Sequence, residues 1–114
     1  MAKVKIIKSL LEEIIRKFGG KAHEIIDLLE TLEKDPKKGK PLGNVGGMII
    51  KEIRYEGYRF YFITDGYKIK VLSNDELSDL LIKFVRMSDK KEQQKVIDEI
   101  KKILRAIGET GFDV

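Results

Sequence analysis

The chain has 114 residues, of which 37% are charged, and its formal net charge is +4. A chain of this length is expected to form one domain, spanning residues 1–114, that buries a modest core without disulfides or metal. It contains no cysteine and one histidine, which excludes disulfide frameworks, thiolate catalysis and cysteine-based zinc sites. We therefore predict no metal and no cofactor.

The charge pattern also bears on location and partners. No apolar run reaches the roughly 18 residues that a membrane-spanning helix needs. The N-terminal stretch is interrupted by Glu12, Glu13 and Arg16, so it is not expected to act as a signal peptide. We expect a cytoplasmic protein with no membrane partner, and the basic excess favours a polyanionic or acidic partner.

Two amphipathic helices are predicted at the start of the chain. Apolar residues recur at helical spacing from about Lys3 to Phe18, and Gly19-Gly20 ends that helix. A second helix is predicted from about Lys21 to Lys34, where Asp35-Pro36 stops it. Helices joined this closely form an antiparallel hairpin whose apolar stripes need a partner. His23, on the polar side of the second helix, is predicted to be incidental.

A glycine-rich loop is predicted next, from Lys37 to Gly47, with the sequence KKGKPLGNVGG. Lys38 and Lys40 within it are free to contact phosphate. The loop lacks the order G-x-x-x-x-G-K-[ST] and leads into a strand instead of a helix, so we do not expect a nucleotide cofactor.

Three antiparallel strands follow, predicted for Met48 to Tyr55, Tyr58 to Thr64 and Tyr67 to Leu72. Glu56-Gly57 and Asp65-Gly66 have the composition of two-residue hairpin turns. With two such turns the register follows, and the expected pairs are Tyr55 with Tyr58, Arg54 with Arg59, Ile53 with Phe60, Phe62 with Ile69, and Phe60 with Val71.

Alternation divides these strands into two faces. The first is a core face, with Lys51 near one end: Ile53, Tyr55, Tyr58, Phe60, Phe62, Ile69 and Val71. The second is a basic face that also includes Ile50 and Ile63: Glu52, Arg54, Arg59, Tyr61, Lys68 and Lys70. Two arginines opposite each other are unfavourable unless an anion or Glu52 lies between them, so the basic face is the candidate site.

The rest of the chain is predicted to add a strand and a helix. Ser73 to Asp79 is predicted to be a loop or helical turn, and Leu80 to Met87 a fourth strand. Ser88 or Asp89 caps a last helix at about Lys90 to Ile107, and the tail GETGFDV is expected to fray. The predicted fold class is α+β, with an N-terminal helical hairpin packed on an antiparallel sheet of three to four strands and a C-terminal helix.

From about Leu28 to Leu104 the sequence resembles the RelE/ParE toxin superfamily, closest to its HigB-like, phage-derived branch. The resemblance depends most on the segment FVRMSDK before a helix and on an E-x-R strand followed by G-Y-R: Glu52, Arg54, Gly57, Tyr58 and Arg59. It implies a RelE-like toxin of a type II toxin-antitoxin system, held by a cognate antitoxin protein. Such a toxin enters the ribosome and cleaves mRNA without metal, as an endoribonuclease (mRNA interferase).

The resemblance also assigns roles to residues. The cleavage is attack of a ribose 2′-OH on the adjacent phosphate, which needs a base, cations and an acid. Arg54 and Arg59 would hold the phosphate. The implied catalytic residues are Arg59, Arg86, Arg54 and Glu52, and the implied RNA-binding residues are Lys68, Lys70, Tyr61, Lys90, Lys91, Lys38 and Lys40.

The sequence departs from the family in several places. Two lysines of RelE fall here at Ile50 and Glu52, and Met87 stands where a second basic residue is expected. The segment SNDELSD is an apparent insertion, and the family's N-terminal strand would have to be provided by Ala2 to Ile6. Two alternatives therefore stay open: a ParE-like inhibitor of DNA gyrase, and a catalytically silent RelE-fold module that binds RNA or protein.

Overall fold

A five-stranded sheet in the order β1-β5-β4-β3-β2 organises the computed structural model, which describes residues 1–113. The strands are β1 (Lys3–Ile6), β2 (Lys40–Val45), β3 (Met48–Tyr55), β4 (Tyr58–Asp65) and β5 (Leu81–Asp89). The helices are α1 (Lys8–Phe18), α2 (Ala22–Glu30), α3 (Gly66–Val71) and α4 (Gln93–Ala106). Short 3-10 turns occupy Gly19–Lys21, Thr31–Glu33, Asn74–Leu77 and Glu109–Phe112. The α+β class is confirmed, but the sheet has five strands where three to four were predicted.

The β3–β4 hairpin forms as predicted. Tyr55 pairs with Tyr58, and the remaining pairs continue without a register shift to Met48 opposite Asp65. The two turn residues are Glu56 and Gly57, and Glu56 takes the positive φ, at 53°. The register is confirmed because a two-residue turn leaves no freedom in how the strands align.

The third predicted strand is wrong, because its residues form α3. The Asp65 carboxylate accepts the Lys68 N–H at 3.0 Å and so caps a helix where a hairpin turn was expected. The predicted pairs of Phe62 with Ile69 and Phe60 with Val71 therefore do not exist. Instead β4 pairs with β5, which places Phe62 opposite Phe84 and Phe60 opposite Met87.

Two strands lie outside the elements predicted from periodicity, although the resemblance named Ala2 to Ile6 as the segment that would provide an N-terminal strand. The first residues of the predicted helix from Lys3 form β1, which runs parallel to the Leu81–Phe84 half of β5. The predicted loop from Lys37 to Gly47 contains β2, joined to β3 by Gly46 and Gly47 at φ 54° and 88°. Two consecutive positive φ values match a type I′ hairpin turn. The glycine pair thus forms a second hairpin turn, whereas Asp65-Gly66 does not form the turn that was predicted there.

Helices cover both faces of the sheet. Phe18 of α1 packs edge-on against Tyr58, with ring centroids 5.0 Å apart, and covers the part of the predicted core face that β3 and β4 form. The prediction is wrong for Ile69 and Val71, which lie on α3, where Val71 is 56% exposed. On the other face Ile50, Tyr61 and Ile63 are at most 1% exposed. This second face was predicted to be a polar, basic surface, and that prediction is wrong because α4 lies over it.

The ends of the chain's later helices also differ from prediction. The regular α2 stops at Glu30 and continues only as a 3-10 turn to Glu33, while α4 begins at Gln93. The predicted fraying of the tail is wrong for residues 108–113, since Phe112 is 3% exposed and Asp113 pairs with Lys83, while Val114 lies outside the described residues. Among residues 1–113, no helix combines the length and the apolar character needed to cross a membrane.

Candidate nucleic-acid interface

A buried carboxylate lies at the centre of the candidate site. Glu52 on β3 is 1% exposed. Its Oε2 accepts a hydrogen bond from Arg54 Nε at 2.7 Å, and its Oε1 accepts one from Gln93 Nε2 at 3.1 Å. Alternation along β3 puts Glu52 and Arg54 on the same face, and the first residue of α4 closes over them. Both carboxylate oxygens are therefore engaged.

Tyr61 on β4 lies in the same cluster and is fully buried. Its hydroxyl is 2.7 Å from Ser88 Oγ, and Ser88 Oγ in turn donates to the carbonyl of Asp89 at 2.8 Å. Because a serine hydroxyl has one proton, Tyr61 is the donor in the first of these bonds. Burial, aided by the charge of Glu52, raises the pKa of the Tyr61 hydroxyl against the opposing charges of Arg59 and Arg54. The phenol therefore stays protonated at neutral pH.

Arg59, opposite Arg54 in the hairpin, is a buried cation that is incompletely paired. It is 6% exposed, and its Nη1 donates to the carbonyl of Gly57 at 3.2 Å. Its Nε is buried and has no hydrogen-bond partner. Within residues 1–113 no carboxylate oxygen lies within 4.0 Å of its guanidinium. A buried charge in this state costs folding free energy.

Exposed cations border this cluster on the solvent side. A cleft of about 290 Å³ opens beside the end of β3, and its charged lining residues are Lys38, Lys40, Glu52 and Arg54. Lys40 is the cross-strand neighbour of Glu52. Lys90 and Lys91 are exposed in the turn from β5 to α4, at the same end of the sheet because Asp89 pairs with Tyr58. One end of the sheet therefore combines five cations with solvent access.

Three predicted site residues either lie outside the cluster around Glu52 or are already paired with another side chain. Lys68 and Lys70 are exposed on α3, which follows the opposite end of β4, so they do not join the cluster. Arg86 is the cross-strand neighbour of Tyr61, but its Nε donates to Glu99 Oε1 at 2.7 Å and its guanidinium lies 5.3 Å from the Phe112 ring centroid. The prediction that Lys68 and Lys70 lie on the basic face is wrong, because α3 replaced a strand.

Sequence reasoning missed two members of the cluster. Gln93 binds Glu52, and Ser88 binds Tyr61. Ser88 was predicted only as a helix cap, and nothing local marks Gln93, since its contact is 41 residues away in sequence. Only the placement of α4 across the sheet brings these partners together.

The burial of the candidate groups determines which of them can reach a substrate hydroxyl or phosphate. A general base must come within hydrogen-bond reach of the hydroxyl that it deprotonates. In this conformation the Glu52 carboxylate is enclosed and both its oxygens accept hydrogen bonds, and Tyr61 and Arg59 are covered. The solvent-facing lysines and Arg54 can bind phosphate oxygens directly.

Comparison of the chain with protein-family models, curated proteins and solved structures found no match. Its function must therefore be argued from the geometry of its own residues and from the sequence resemblance.

Proposed function

We propose that the protein binds RNA through the cationic end of its sheet, as a RelE-like module. One observation supports this most directly: the charged side chains lining the cleft are Lys38, Lys40 and Arg54, together with one carboxylate that is already paired. The cleft therefore offers an uncompensated positive charge to a phosphate backbone. The succession of two helices, an antiparallel hairpin and a C-terminal helix supports a RelE-like fold.

The choice of RNA over other polyanions derives from the resemblance to the RelE/ParE superfamily. On that basis the RNA is mRNA at the ribosome, which places the protein in the cytoplasm. A cognate antitoxin would be an acidic or amphipathic helical segment that covers the same cations. Binding without cleavage is the activity that the geometry supports best, because the candidate base Glu52, the candidate acid Tyr61 and Arg59 are buried.

We expect the double variant Lys38→Gln, Lys40→Gln to bind a 20-nucleotide single-stranded RNA about tenfold more weakly than the wild type, because two phosphate contacts are lost. The slope of log affinity against log salt should become shallower by about 1.4, since each neutralised phosphate contributes about 0.7 for a single strand. Fluorescence anisotropy of the labelled RNA over a salt series measures both quantities.

The matched control is Lys68→Gln, Lys70→Gln, which removes the same charge from exposed positions at the opposite end of β4. It should weaken binding less than about twofold, because diffuse surface charge is largely screened beyond a Debye length of about 8 Å. Equal losses in the two double variants would show that binding follows net charge only. No binding by the wild type would reject the proposal.

A second candidate is the mRNA endonuclease toxin. The observation that favours it is the group of Glu52, Arg54, Arg59 and Tyr61, which joins a carboxylate, two guanidiniums and a phenol at one place. Keeping Arg59 buried with an unpaired Nε lowers stability, and costs of this kind are found at functional sites. For cleavage the first turn of α4 would have to move away and release Glu52 from Gln93.

The chemistry would then use these groups without a metal. Glu52 takes the proton of a ribose 2′-OH, the oxygen attacks the adjacent phosphorus, and the bond to the 5′ oxygen breaks. The products are a 2′,3′-cyclic phosphate and a 5′-OH, which receives a proton from an acid such as Tyr61. Arg54 and Arg59 offset the charge that develops on the phosphate oxygens.

We expect Arg59→Met to abolish growth arrest in a bacterial host while keeping the protein folded. Replacing a poorly paired buried charge with an apolar side chain is often neutral or stabilising, by about 1 kcal/mol here. Growth curves and mapping of transcript 5′ ends measure the activity, and thermal unfolding measures the stability.

The Lys68→Gln, Lys70→Gln protein serves again as the control and should still arrest growth. Arrest that persists in Arg59→Met would reject the endonuclease assignment. Arrest with intact transcripts, DNA damage and blocked supercoiling would indicate the ParE-like alternative. A wild type that binds RNA and leaves growth normal would leave the binding module as the function.

A further inference from the structure

The sheet has an open edge along the second half of β5, residues 85–89, which we call the half-edge. Strand β1 pairs with β5 only from Leu81 to Phe84, and the chain then turns into α1. No strand of residues 1–113 lies beside residues 85–89 on that side. The second half of β5 is therefore paired on one side only.

The hydrogen-bonding groups of this half-edge can be assigned from the register. The Tyr55–Tyr58 pair closes a two-residue hairpin, so alternate residues of β4 from Tyr58 point their backbone groups at β3, and the residues between them point at β5. Arg86 and Ser88 lie opposite those intervening residues. Alternation then leaves the backbone N–H groups of Met87 and Asp89 directed away from the sheet.

A groove runs along this half-edge between α1 and α4. Its volume is about 320 Å³. Tyr58, Met87 and Val96 contribute its apolar surface, and the first two lie on the face that α1 covers. The groove shares no lining residue with the cationic cleft at the end of β3. It is therefore a separate surface.

The charge of the groove is opposite to that of the whole chain. Its ionisable lining residues are Glu13, Lys17, Asp89, Glu92, Lys95 and Glu99, so four carboxylates face two lysines. Glu99 is already paired with Arg86. Glu92 lies 4.0 Å from Lys95 Nζ, so among residues 1–113 Glu13 and Asp89 remain as carboxylates without a salt bridge, in a protein whose net charge is +4. A basic ligand is favoured there.

The other sheet edges are protected in ways that this one is not. The outer strand β2 contains Pro41 and an irregularity in its pairing between Pro41 and Gly43. The outer strand β1 has only four residues, of which Lys3 and Lys5 are exposed. Lysines, proline, short strands and bulges all prevent pairing of edges. Residues 85–89 have no lysine or proline, and the irregularity in the pairing of β5 with β4 lies at their start, at Val85, which leaves residues 86–89 regularly paired beside the groove.

We propose that this groove binds an extended basic segment of a partner protein, which adds as a strand beside residues 85–89. The backbone groups of Met87 and Asp89 supply the hydrogen bonds. Because side chains alternate along a strand, apolar residues of the partner contact Tyr58 and Met87, and basic residues point at Glu92 of α4. The partner is thus a segment in which apolar and basic residues alternate.

The test uses the full chain labelled with ¹⁵N and the acetylated, amidated peptide KVKVKVK as a probe. The amide signals of Met87 and Asp89 should shift on titration, and their hydrogen exchange should slow. The peptide KPKPKPK carries the same charge but has no N–H at alternate positions, and it should produce neither effect. The variant Glu13→Lys, Glu92→Lys should weaken binding of KVKVKVK at least about tenfold, because like charges then face each other.

Asp27→Lys, Glu30→Lys is the matched control, with two exposed charges reversed on α2, and it should bind as the wild type does. Thermal unfolding confirms that both variants are folded. Equal effects of KVKVKVK and KPKPKPK, or no shift at 1 mM peptide, would overturn the proposal. Shifts of the same amides on raising protein concentration alone would show that a second copy occupies the groove, and would also overturn it.

Discussion

Replacing Gly39 with alanine is expected to destabilise the protein by about 3 kcal/mol, combining overpacking of the core with a strained backbone. Gly39 has φ +109°, and a Cβ there would lie 2.9 Å from Phe62 Cζ and 3.2 Å from the carbonyl oxygen of Glu52. Neither neighbour can move easily, since Phe62 is fully buried and Glu52 lies in a central strand. Thermal unfolding should show a fall in Tm of about 12 °C.

Gly46→Ala separates the steric effect from the backbone effect. Gly46 also has a positive φ, at 54°, but a Cβ there would have no atom within 4 Å. It should cost only about 1 kcal/mol, or about 4 °C in Tm, because the left-handed conformation is its main penalty. Equal losses in the two variants would mean that Gly39 is not closely packed against Phe62.

The Gly39 substitution also reports on the proposed interface. Gly39 lies between Lys38 and Lys40 in the lining of the cationic cleft. If alanine pushes this segment away from Phe62, the two lysines move with it, and RNA affinity should fall even at temperatures where the variant is folded. Gly46→Ala, in the turn between β2 and β3, should leave RNA affinity unchanged.

Lys83→Met is expected to cost about 2 kcal/mol and to release the C-terminal segment, with a fall in Tm of about 8 °C. Lys83 on β5 is 3% exposed, and its Nζ donates to Asp113 Oδ1 at 3.0 Å, to the Glu109 carbonyl at 3.3 Å and to the Glu109 carboxylate. Methionine keeps the length and packing of the stem. The acidic partners are 36% and 41% exposed, so solvent screening reduces the cost below that of a fully buried pair.

The contribution of Lys83 should depend on pH at both extremes. Burial lowers the pKa of the Lys83 ammonium, but its hydrogen bonds to Glu109 and Asp113 outweigh burial and leave the pKa above its ordinary value. The stabilisation is therefore present below about pH 10 and is lost as the pH rises further. The hydrogen bond from Lys83 lowers the pKa of Asp113, so part of the stabilisation is also lost as the pH falls below about 4.

Urea unfolding from acid to alkaline pH measures the difference in the free energy of unfolding between the wild type and Lys83→Met. It should be constant near neutrality and should shrink toward both ends. Lys5→Met is the control, because Lys5 is 53% exposed and lies 3.7 Å from the same Asp113 carboxylate, so it should cost less than about 0.5 kcal/mol. A pH-independent difference would show that Lys83 contributes by packing alone.

Local sequence signals located much of the fold. The Glu56-Gly57 turn fixed the register of β3 and β4, and the apolar run before Ser88 indicated β5. Both predictions succeeded because a tight turn and a buried strand are specified by neighbouring residues. The candidate site was predicted in part for the same reason, since Glu52, Arg54 and Arg59 lie on one hairpin.

The predictions that failed depend on contacts between segments that are far apart in the sequence. The residues of α3 alternate in polarity like a strand, but the Asp65 carboxylate caps them as a helix and the Gly66 N–H donates to the Gly47 carbonyl, in the β2–β3 turn, at 2.9 Å. Strand β1 has only four residues, and its pairing partner β5 is almost 80 residues away in sequence. Neither local propensity nor periodicity contains information about a parallel partner at that distance.

The sequence alone determined that this is an α+β protein with a basic surplus, a defined β3–β4 hairpin and a C-terminal amphipathic helix. Only the tertiary structure decided that α4 covers the second face of the sheet, because nothing in the helix's own periodicity states which face it packs against. That placement buries Glu52, Arg59 and Tyr61 and leaves Lys38, Lys40 and Arg54 in contact with solvent. It also leaves the half-edge of β5 open between two helices, since β1 ends before β5 does.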